Sequence, residues 1–173
     1  ENYKGMTVRA LGGMANAMRA LGASIATMTA TEVYQAIERG AADAVSFPST
    51  YAHSAYKIDE VATWFTSNMS PGTNDCPNVI SLTAWKNLPE QYKKLMYQAR
   101  EKGYAALKAA YSAKDNVNLP KWRKKMTEIK YSDAELARFQ KAGGQPVYDK
   151  WVAKYKGDFD SKAMLDAVLA AAK

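Results

Sequence analysis

The strongest constraint on the fold is a regular alternation of strand-like and helix-like segments in the first third of the chain. β-rich segments at 6–11, 24–28 and 42–47 are separated by stretches with apolar residues at helical spacing. Strands that alternate with helices are typical of an α/β domain, and the handedness of such crossovers makes the sheet mostly parallel. The sequence therefore predicts an α/β fold with a mostly parallel sheet.

Arg9 stands at the carboxyl end of the first predicted strand, just before the glycine turn Gly12-Gly13. Ligands of open α/β sheets bind beyond the carboxyl ends of the strands. A guanidinium offers a planar fork of donors that fits a carboxylate or a phosphate. Two interpretations remain open, a clamp on an anionic ligand or a structural salt bridge with an acid such as Asp43.

The rest of the chain predicts further elements of both kinds. A long helix with one apolar stripe is expected from Pro89 to Ser112 or beyond, because proline favours the first helical turn. Gly143-Gly144 is expected to break a helix that opens at Ser132. The remaining predictions are a short helix at 49–56, strands at 61–66, 78–82 and 126–131, and helices after Pro146 and Asp158.

Composition indicates a folded domain with a basic surface. Apolar residues make up 47% of the 173 residues, enough for a sizeable core. The net charge of +7 includes the run Lys121 to Lys125, which is interleaved with Trp122. Such a run is typical of a solvated surface, but it also resembles a nucleic-acid patch, and a positive field would draw in an anionic solute.

No catalytic motif stands out. The one histidine, His53, is expected at the surface, and the one cysteine, Cys76, cannot form an internal disulfide. A nucleophile elbow, a metal-ligand spacing and a phosphate-binding loop are all missing from the sequence, and Gly12-Gly13 lacks the second half of a dinucleotide fingerprint. Nothing in the sequence singles out a catalytic, metal or cofactor site, and an enzyme on the same sheet remains an alternative.

Five short segments, in order, resemble the periplasmic solute-binding proteins of TRAP (tripartite ATP-independent periplasmic) transporters, the DctP type. The segment Glu32 to Asp43 is similar to the family's "Glu-Val-Tyr-Ala-Leu-Gln-x-Gly-x-Val-Asp-Gly" stretch. Leu82 to Pro89 is similar to its "Trp-x-x-Leu-Pro" entry into a long helix. The other three matching segments are Met6 to Arg9, Leu21 to Ala23 and Tyr56 to Val61.

This resemblance implies a two-lobed, periplasmic-binding-protein-like receptor that closes about a hinge around an organic acid and delivers it to TRAP membrane subunits. It implies a periplasmic monomer that neither is embedded in the membrane nor binds nucleic acid. Because family members are much longer, the chain is expected to correspond to their carboxyl-terminal portion. Residues 1–72 and 113–173 would then belong to lobe II, and 73–112 to lobe I with the long connecting helix.

The resemblance also implies a binding site at the strand ends. Arg9 would clamp the substrate carboxylate, as the matching arginine does in the family. Ser46 and Phe47 stand where many members have Glu-Asn. Ser46 is a poor metal ligand, so no metal is expected, and Phe47 would offer an apolar face or simply pack in the core. Asn74 and Asp75 would reach the ligand's polar end or build a turn.

Three further side chains, Trp64, Tyr51 and Met69, could line the pocket or belong to the core. An aromatic ring at Phe47 in place of an amide removes a donor for a second polar group of the ligand. The expected ligand is therefore a monocarboxylate with an apolar or aromatic body, held by Arg9 at one end and by Phe47 and Trp64 at the other.

Overall fold

A computed structural model describes residues 3–69 and 79–171. Its first sheet has three parallel strands, β1 (Thr7–Arg9), β2 (Ser24–Ala26) and β3 (Ala44–Val45), in the order β2-β1-β3. Helices α1 (Gly12–Ala20) and α2 (Val33–Glu38) make the two crossovers. The predicted parallel α/β arrangement is therefore confirmed, with strands shorter than the sequence suggests.

The core of this sheet lies between its central strand β1 and helix α1. Val8 and Ala10 of the β1 segment are almost fully buried against one face of the helix. The other buried members of the cluster are Met14, Ala15, Met18 and Ala23. This packing, with the pairing of β1 to β2 and β3, holds the strand whose last residue is Arg9.

The chain then builds a second, two-stranded sheet. Helices α3 (Ser49–Ala55) and α4 (Ile58–Val61) lead into strand β4 (Trp64–Thr66), which pairs in parallel with β5 (Thr127–Ile129). Lys57 joins the two helices in the left-handed region, with φ 58° and ψ 23°. This residue turns the chain sharply immediately after Tyr56.

The predicted strand at 78–82 is wrong over its described residues. Residues 79–81 form no strand, and Leu82–Asn87 forms helix α5. The Ser81 hydroxyl accepts a hydrogen bond from the Ala84 backbone N–H at 3.1 Å, so N-cap chemistry decides the local structure. Val79 is 89% exposed and packs against no strand partner here.

Helix α6 (Glu90–Lys125) is 36 residues long and continues through Pro120. The predicted start is confirmed, and the helix also takes in the basic run up to Lys125. Its second half is anchored by Asn118 and Trp122, which are buried. Its first half leaves large apolar side chains about half exposed, namely Tyr92, Leu95, Met96, Tyr97, Tyr104 and Leu107.

The C-terminal helices are α7 (Asp133–Phe139), α8 (Gln145–Tyr155) and α9 (Ser161–Ala171). The expected break at Gly143-Gly144 is instead a π-helical turn, Gln140–Gly144, that joins α7 to α8. Gly143 is buried where a Cβ would come within 3.2 Å of the Ala17 carbonyl oxygen, so this glycine serves close packing on α1.

Candidate functional site

Arg9 lies where the three parallel strands end. Its Nε and Nη2 donate to the Met28 carbonyl at 3.4 and 3.2 Å, and its Nη1 donates to the Ser46 carbonyl at 3.4 Å. Met28 follows β2 and Ser46 follows β3, so the guanidinium spans the carboxyl ends of all three strands. The residue is only 4% exposed.

The charge of Arg9 is met by neutral groups. No carboxylate in residues 3–69 or 79–171 forms an ion pair with it. Asp43 instead accepts a hydrogen bond from the Thr7 backbone N–H at 2.7 Å, so the expected alternative, an Arg9–Asp43 bridge, does not form. Burial lowers the pKa of the Arg9 guanidinium, and the Tyr56 phenol partly opposes that shift.

The hydrogen bonds of Arg9 leave part of its fork unused. A guanidinium carries five N–H donors, and the contacts with Met28 and Ser46 occupy one on each nitrogen. Among the described residues, no partner takes the second N–H of Nη1 or of Nη2, so these two donors can bind a further acceptor. A carboxylate has two acceptor oxygens, and a guanidinium commonly binds it in bidentate fashion.

Aromatic rings pack against the Arg9 guanidinium. The Cζ atom of Arg9 is 4.6 Å from the centre of the Phe47 ring, a cation–π contact. Phe47 in turn stacks on Tyr56, with ring centres 5.3 Å apart and planes 18° apart. His53 meets Phe47 edge-on at 5.6 Å. We call Arg9, Phe47 and Tyr56, together with the Met28 and Ser46 carbonyls, the Arg9 site.

The surrounding fold is that of a known family. Residues 1–155 match DctP, described as bacterial extracellular solute-binding protein, family 7. The chain belongs to the DctP family.

Solved structures show the same fold. The chain is similar to a TRAP periplasmic solute-binding protein from Rhodoferax ferrireducens with bound malonate, at 22% identity and TM-score 0.73 over 98% of this chain and 54% of that one. It is also similar to one from Shewanella oneidensis with bound succinate, at 21% identity and TM-score 0.74 over 99% and 55%.

A third similar structure is a marine metagenome TRAP solute-binding protein, specific for aromatic acid ligands and in complex with metahydroxyphenylacetate. The identity is 19% and the TM-score 0.66, over 95% of this chain and 54% of that one. These similarities confirm the predicted binding-protein-like α/β fold. The chain spans about half the length of the solved structures that it matches.

Ser46 contributes its backbone to the site of this DctP-family chain. Its carbonyl accepts from Arg9, whereas its hydroxyl points to the Met14 sulfur at 3.5 Å. Its backbone N–H donates to the Arg9 carbonyl at 2.9 Å, which extends the β1–β3 ladder by one residue. The side chain predicted to touch the ligand is thus turned towards helix α1.

Trp64 lies in a different place from Arg9. It lines a cleft of about 370 Å³ that also includes Tyr3, Met6 and Tyr131. Met6 precedes β1 whereas Arg9 ends it, so the two mark opposite ends of that strand. The structure does not bring Trp64 together with Phe47, and Asn74 and Asp75 lie outside the described residues.

Reasoning from the sequence missed Tyr56 of the Arg9 site and the contact of the neighbouring His53. Tyr56 contacts Phe47 only because the α3 helix turns the chain back towards the sheet edge, and no local motif signals this. His53 was expected at the surface but is half-buried, with ring contacts to Phe47 at 5.6 Å and to Trp122 at 5.9 Å. Both contacts depend on how α3 packs against α6.

Polar contacts fasten the second half of α6 to the segment that follows Phe47. Thr50 donates its backbone N–H and its hydroxyl to the Asp115 carboxylate, at 3.3 and 2.6 Å. Asn118 donates to the Thr50 carbonyl at 3.3 Å. Asp59, 4% exposed, accepts from Lys121 at 2.9 Å and from the Trp122 indole at 3.2 Å. These bonds fix α3 and α4 beside the Arg9 site.

The basic run is exposed, but three of its four cations have partners within the fold. Lys121 pairs with Asp59, Arg123 forms a bidentate pair with Glu128 at 2.8 and 3.0 Å, and Lys125 donates to the Asp59 carbonyl at 2.7 Å. A nucleic-acid interface needs such cations for phosphates. Their engagement within the fold weighs against the nucleic-acid alternative.

Membrane and metal features can be judged for the described part of the chain. There, no helix is long and apolar enough to cross a membrane. Across residues 3–69 and 79–171, no cluster of three histidine, cysteine or acidic side chains is placed to hold a metal ion.

Proposed function

We propose that this DctP-family chain binds an organic carboxylate through Arg9, as part of an extracytoplasmic receptor that delivers the solute to TRAP-type membrane subunits. The observation that carries the proposal is a buried guanidinium whose described partners are all neutral. Family membership and the acids bound by the similar structures support it.

The physical argument concerns desolvation. A buried cation is unfavourable unless an anion or several hydrogen bonds replace its hydration. The carbonyl contacts of Arg9 at 3.2 to 3.4 Å replace part of that hydration, and two N–H groups remain. A ligand carboxylate would take both and supply the missing negative charge. Much of the binding energy would therefore come from the carboxylate, which every ligand of this site must contain.

Hinge closure would complete the site. Residues 1–72 and 113–173 would supply one face of it, the other lobe, to which 73–112 would belong, would bring the second face, and the long helix would connect the two. This division into lobes stays a prediction. In such a receptor, the ligand bridges both faces and stabilises the closed form, which the membrane subunits would recognise. The receptor would act as a monomer in the periplasm, without catalysis, metal or cofactor.

The aromatic neighbourhood of Arg9 supports a monocarboxylate with an apolar or aromatic body. Phe47 offers no hydrogen-bond donor for a second polar group, and it lies directly against the guanidinium. The similar structure that is specific for aromatic acid ligands belongs to the same group of binding proteins. A dicarboxylate would place its second charge against this aromatic surface, where it would be poorly solvated.

The test is calorimetry on the full-length gene product, with acids selected by a thermal-shift screen of monocarboxylates, dicarboxylates and sugar acids. Arg9→Ala is expected to weaken binding by about 2–5 kcal/mol, because a charge-assisted bidentate partner is lost. Arg9→Lys should also bind poorly, since a point charge does not reproduce the fork. The matched control is Arg19→Ala, which removes an exposed arginine from α1.

Unchanged affinity in Arg9→Ala would overturn the assignment of the site. Equal losses in Arg9→Ala and Arg19→Ala would point to long-range charge in place of a clamp. If dicarboxylates or sugar acids stabilise the protein while aromatic and aliphatic monocarboxylates do not, the interpretation of Phe47 is wrong even though Arg9 holds.

A further inference from the structure

Tyr56 lies on the outside of the Arg9 site. Its ring stacks on Phe47 at 5.3 Å, and Phe47 lies 4.6 Å from the guanidinium carbon of Arg9. Tyr56 is 38% exposed, whereas Arg9 is 4% exposed. The three side chains therefore form a layered series from the buried cation to solvent, with the tyrosine as its outermost member.

The Phe47 ring is already engaged from several directions. The guanidinium, the Tyr56 ring and the edge of His53 all contact it. Phe47 is half-buried, whereas Tyr56 is exposed, so the tyrosine is the more accessible of the two rings. The aromatic surface that a ligand coming from solvent meets next to Arg9 belongs to Tyr56.

We propose that Tyr56 is a specificity-determining residue of the Arg9 site, whose ring packs against the apolar or aromatic body of a ligand while Arg9 holds the carboxylate. This inference rests on the proposed function. The effect of the Tyr56 phenol on the Arg9 pKa supports it, because it places the two side chains within electrostatic reach of each other. An offset stack of rings is the arrangement that aromatic pairs prefer.

The backbone holds Tyr56 in this place. The tyrosine N–H donates to the Ala52 carbonyl at 3.0 Å, which ends helix α3. The next residue, Lys57, has φ 58°, a conformation that residues other than glycine rarely adopt. The chain turns away directly after the tyrosine, so the ring is left at the helix end, over the Arg9 site.

The chain offers a matched control on the same helix. Tyr51 is 41% exposed, close to the exposure of Tyr56, but its ring contacts Tyr111 of α6 at 4.9 Å. Both tyrosines are exposed aromatic residues, Tyr51 within α3 and Tyr56 directly after it, and only Tyr56 belongs to the Arg9 site. A general effect of losing a tyrosine from this helix would appear in both variants.

The experiment is calorimetric titration of the full-length gene product with two probes, phenylacetate and succinate. Tyr56→Ala is expected to weaken phenylacetate binding about ten-fold, the size of one lost aromatic pair, and succinate binding less than two-fold. Tyr56→Phe should keep phenylacetate affinity within about two-fold, because the ring remains. Tyr51→Ala should leave the ratio of the two affinities unchanged.

A second variant guards against misfolding. Tyr56→Leu keeps apolar volume without a ring, and it should retain the melting temperature while losing selectivity for phenylacetate. An unchanged phenylacetate-to-succinate ratio in both Tyr56→Ala and Tyr56→Leu overturns the role of Tyr56, as does wild-type protein that fails to bind phenylacetate. If Arg9→Ala still binds both probes tightly, the proposed function itself falls, whatever Tyr56 does.

Discussion

At the scale of single residues, Arg9 is the buried cation on which the proposed function depends. Its burial removes water from a permanent charge, and the replacement partners are two carbonyls and an aromatic ring. A cation over a ring is worth about 0.5–2 kcal/mol, less than a buried charge needs. If Arg9 binds a carboxylate as proposed, the ligand would supply the negative charge that these neutral partners lack.

Glu128 gives a prediction about pH. The hydrogen bond from Arg123 lowers the pKa of this carboxyl from 4.5 to about 2, with help from Ser67. Since the folded-state pKa lies below the unfolded one, the stabilisation is complete above about pH 4.5 and disappears as the pH falls towards 2. Glu128→Gln should therefore be less stable than wild type at pH 6, and the difference should vanish near pH 2.

Urea denaturation of both proteins across this pH range measures the effect. The control is the same substitution in an Arg123→Gln background, where Glu128→Gln should change little because its partner is absent. A stability difference that stays constant from pH 6 to pH 2 would show that the Arg123–Glu128 pair does not couple to protonation.

For single residues, the sequence predicted where a side chain lies along a strand or helix better than which residues it contacts. Arg9 could be placed because a short β-rich segment and a glycine turn fix it at a strand end. Its contacts with Met28 and Ser46 depend on where two other strands end, which no local pattern specifies. Tyr56 was missed for the same reason, since its contact with Phe47 spans a helix and a turn.

The α3–α4 connection carries the prediction at the scale of elements. Lys57 adopts φ 58°, where a Cβ costs about 1–2 kcal/mol and glycine costs nothing sterically. Glycine also has more freedom to lose on folding, about 0.5–1 kcal/mol, so Lys57→Gly should stabilise the protein by up to about 1 kcal/mol. Lys57→Ala removes the same side chain but keeps the Cβ, and it should be nearly neutral.

Thermal and urea unfolding of the two variants separate the conformational effect from the loss of the charge. Equal stability in the glycine and alanine variants would mean that the left-handed turn is not strained. A glycine variant less stable than wild type would mean that the turn becomes too loose to hold α3 and α4 together.

Helices and strands were predicted correctly where the local sequence pattern agrees with the packing of the folded chain. The β1–α1–β2–α2–β3 unit follows the hydrophobic period, and the core of Val8, Met14 and Met18 matches that pattern. The predicted strand at 78–82 was wrong over its described residues because the Ser81 cap starts a helix. The end of α6 was not predicted because Pro120 suggests a stop, while buried Asn118 and Trp122 hold the helix together around it.

For the whole molecule, the feature that matters is the exposed apolar surface of the 79–112 segment. Val79 and Leu82 are 89% and 77% exposed, and Met96 and Leu107 are about half exposed. Large apolar side chains exposed together in one segment are typical of a surface that another protein or domain covers. The 173-residue chain, expressed by itself, is expected to self-associate or to fail to bind acids, because this surface and the second face of the Arg9 site remain uncovered.

Sedimentation velocity over a concentration series tests this expectation. The double substitution Met96→Lys and Leu107→Lys should shift the 173-residue chain towards monomer. The control is Val168→Lys, which changes another exposed apolar residue, on α9, and should not have this effect. A stable monomeric wild-type chain that binds an acid tightly would contradict the proposed division into lobes.

Helix α6 has a mechanical consequence that follows from its length. Its 36 residues extend about 54 Å, whereas a compact chain of 173 residues is roughly 40 Å across. Asp115 and Asn118 fasten this helix to Thr50, and its first half extends about 38 Å beyond that point. A tilt of about 10° would move the far tip by roughly 6–7 Å, and the strain would fall on the hydrogen bonds at Thr50, three residues beyond Phe47.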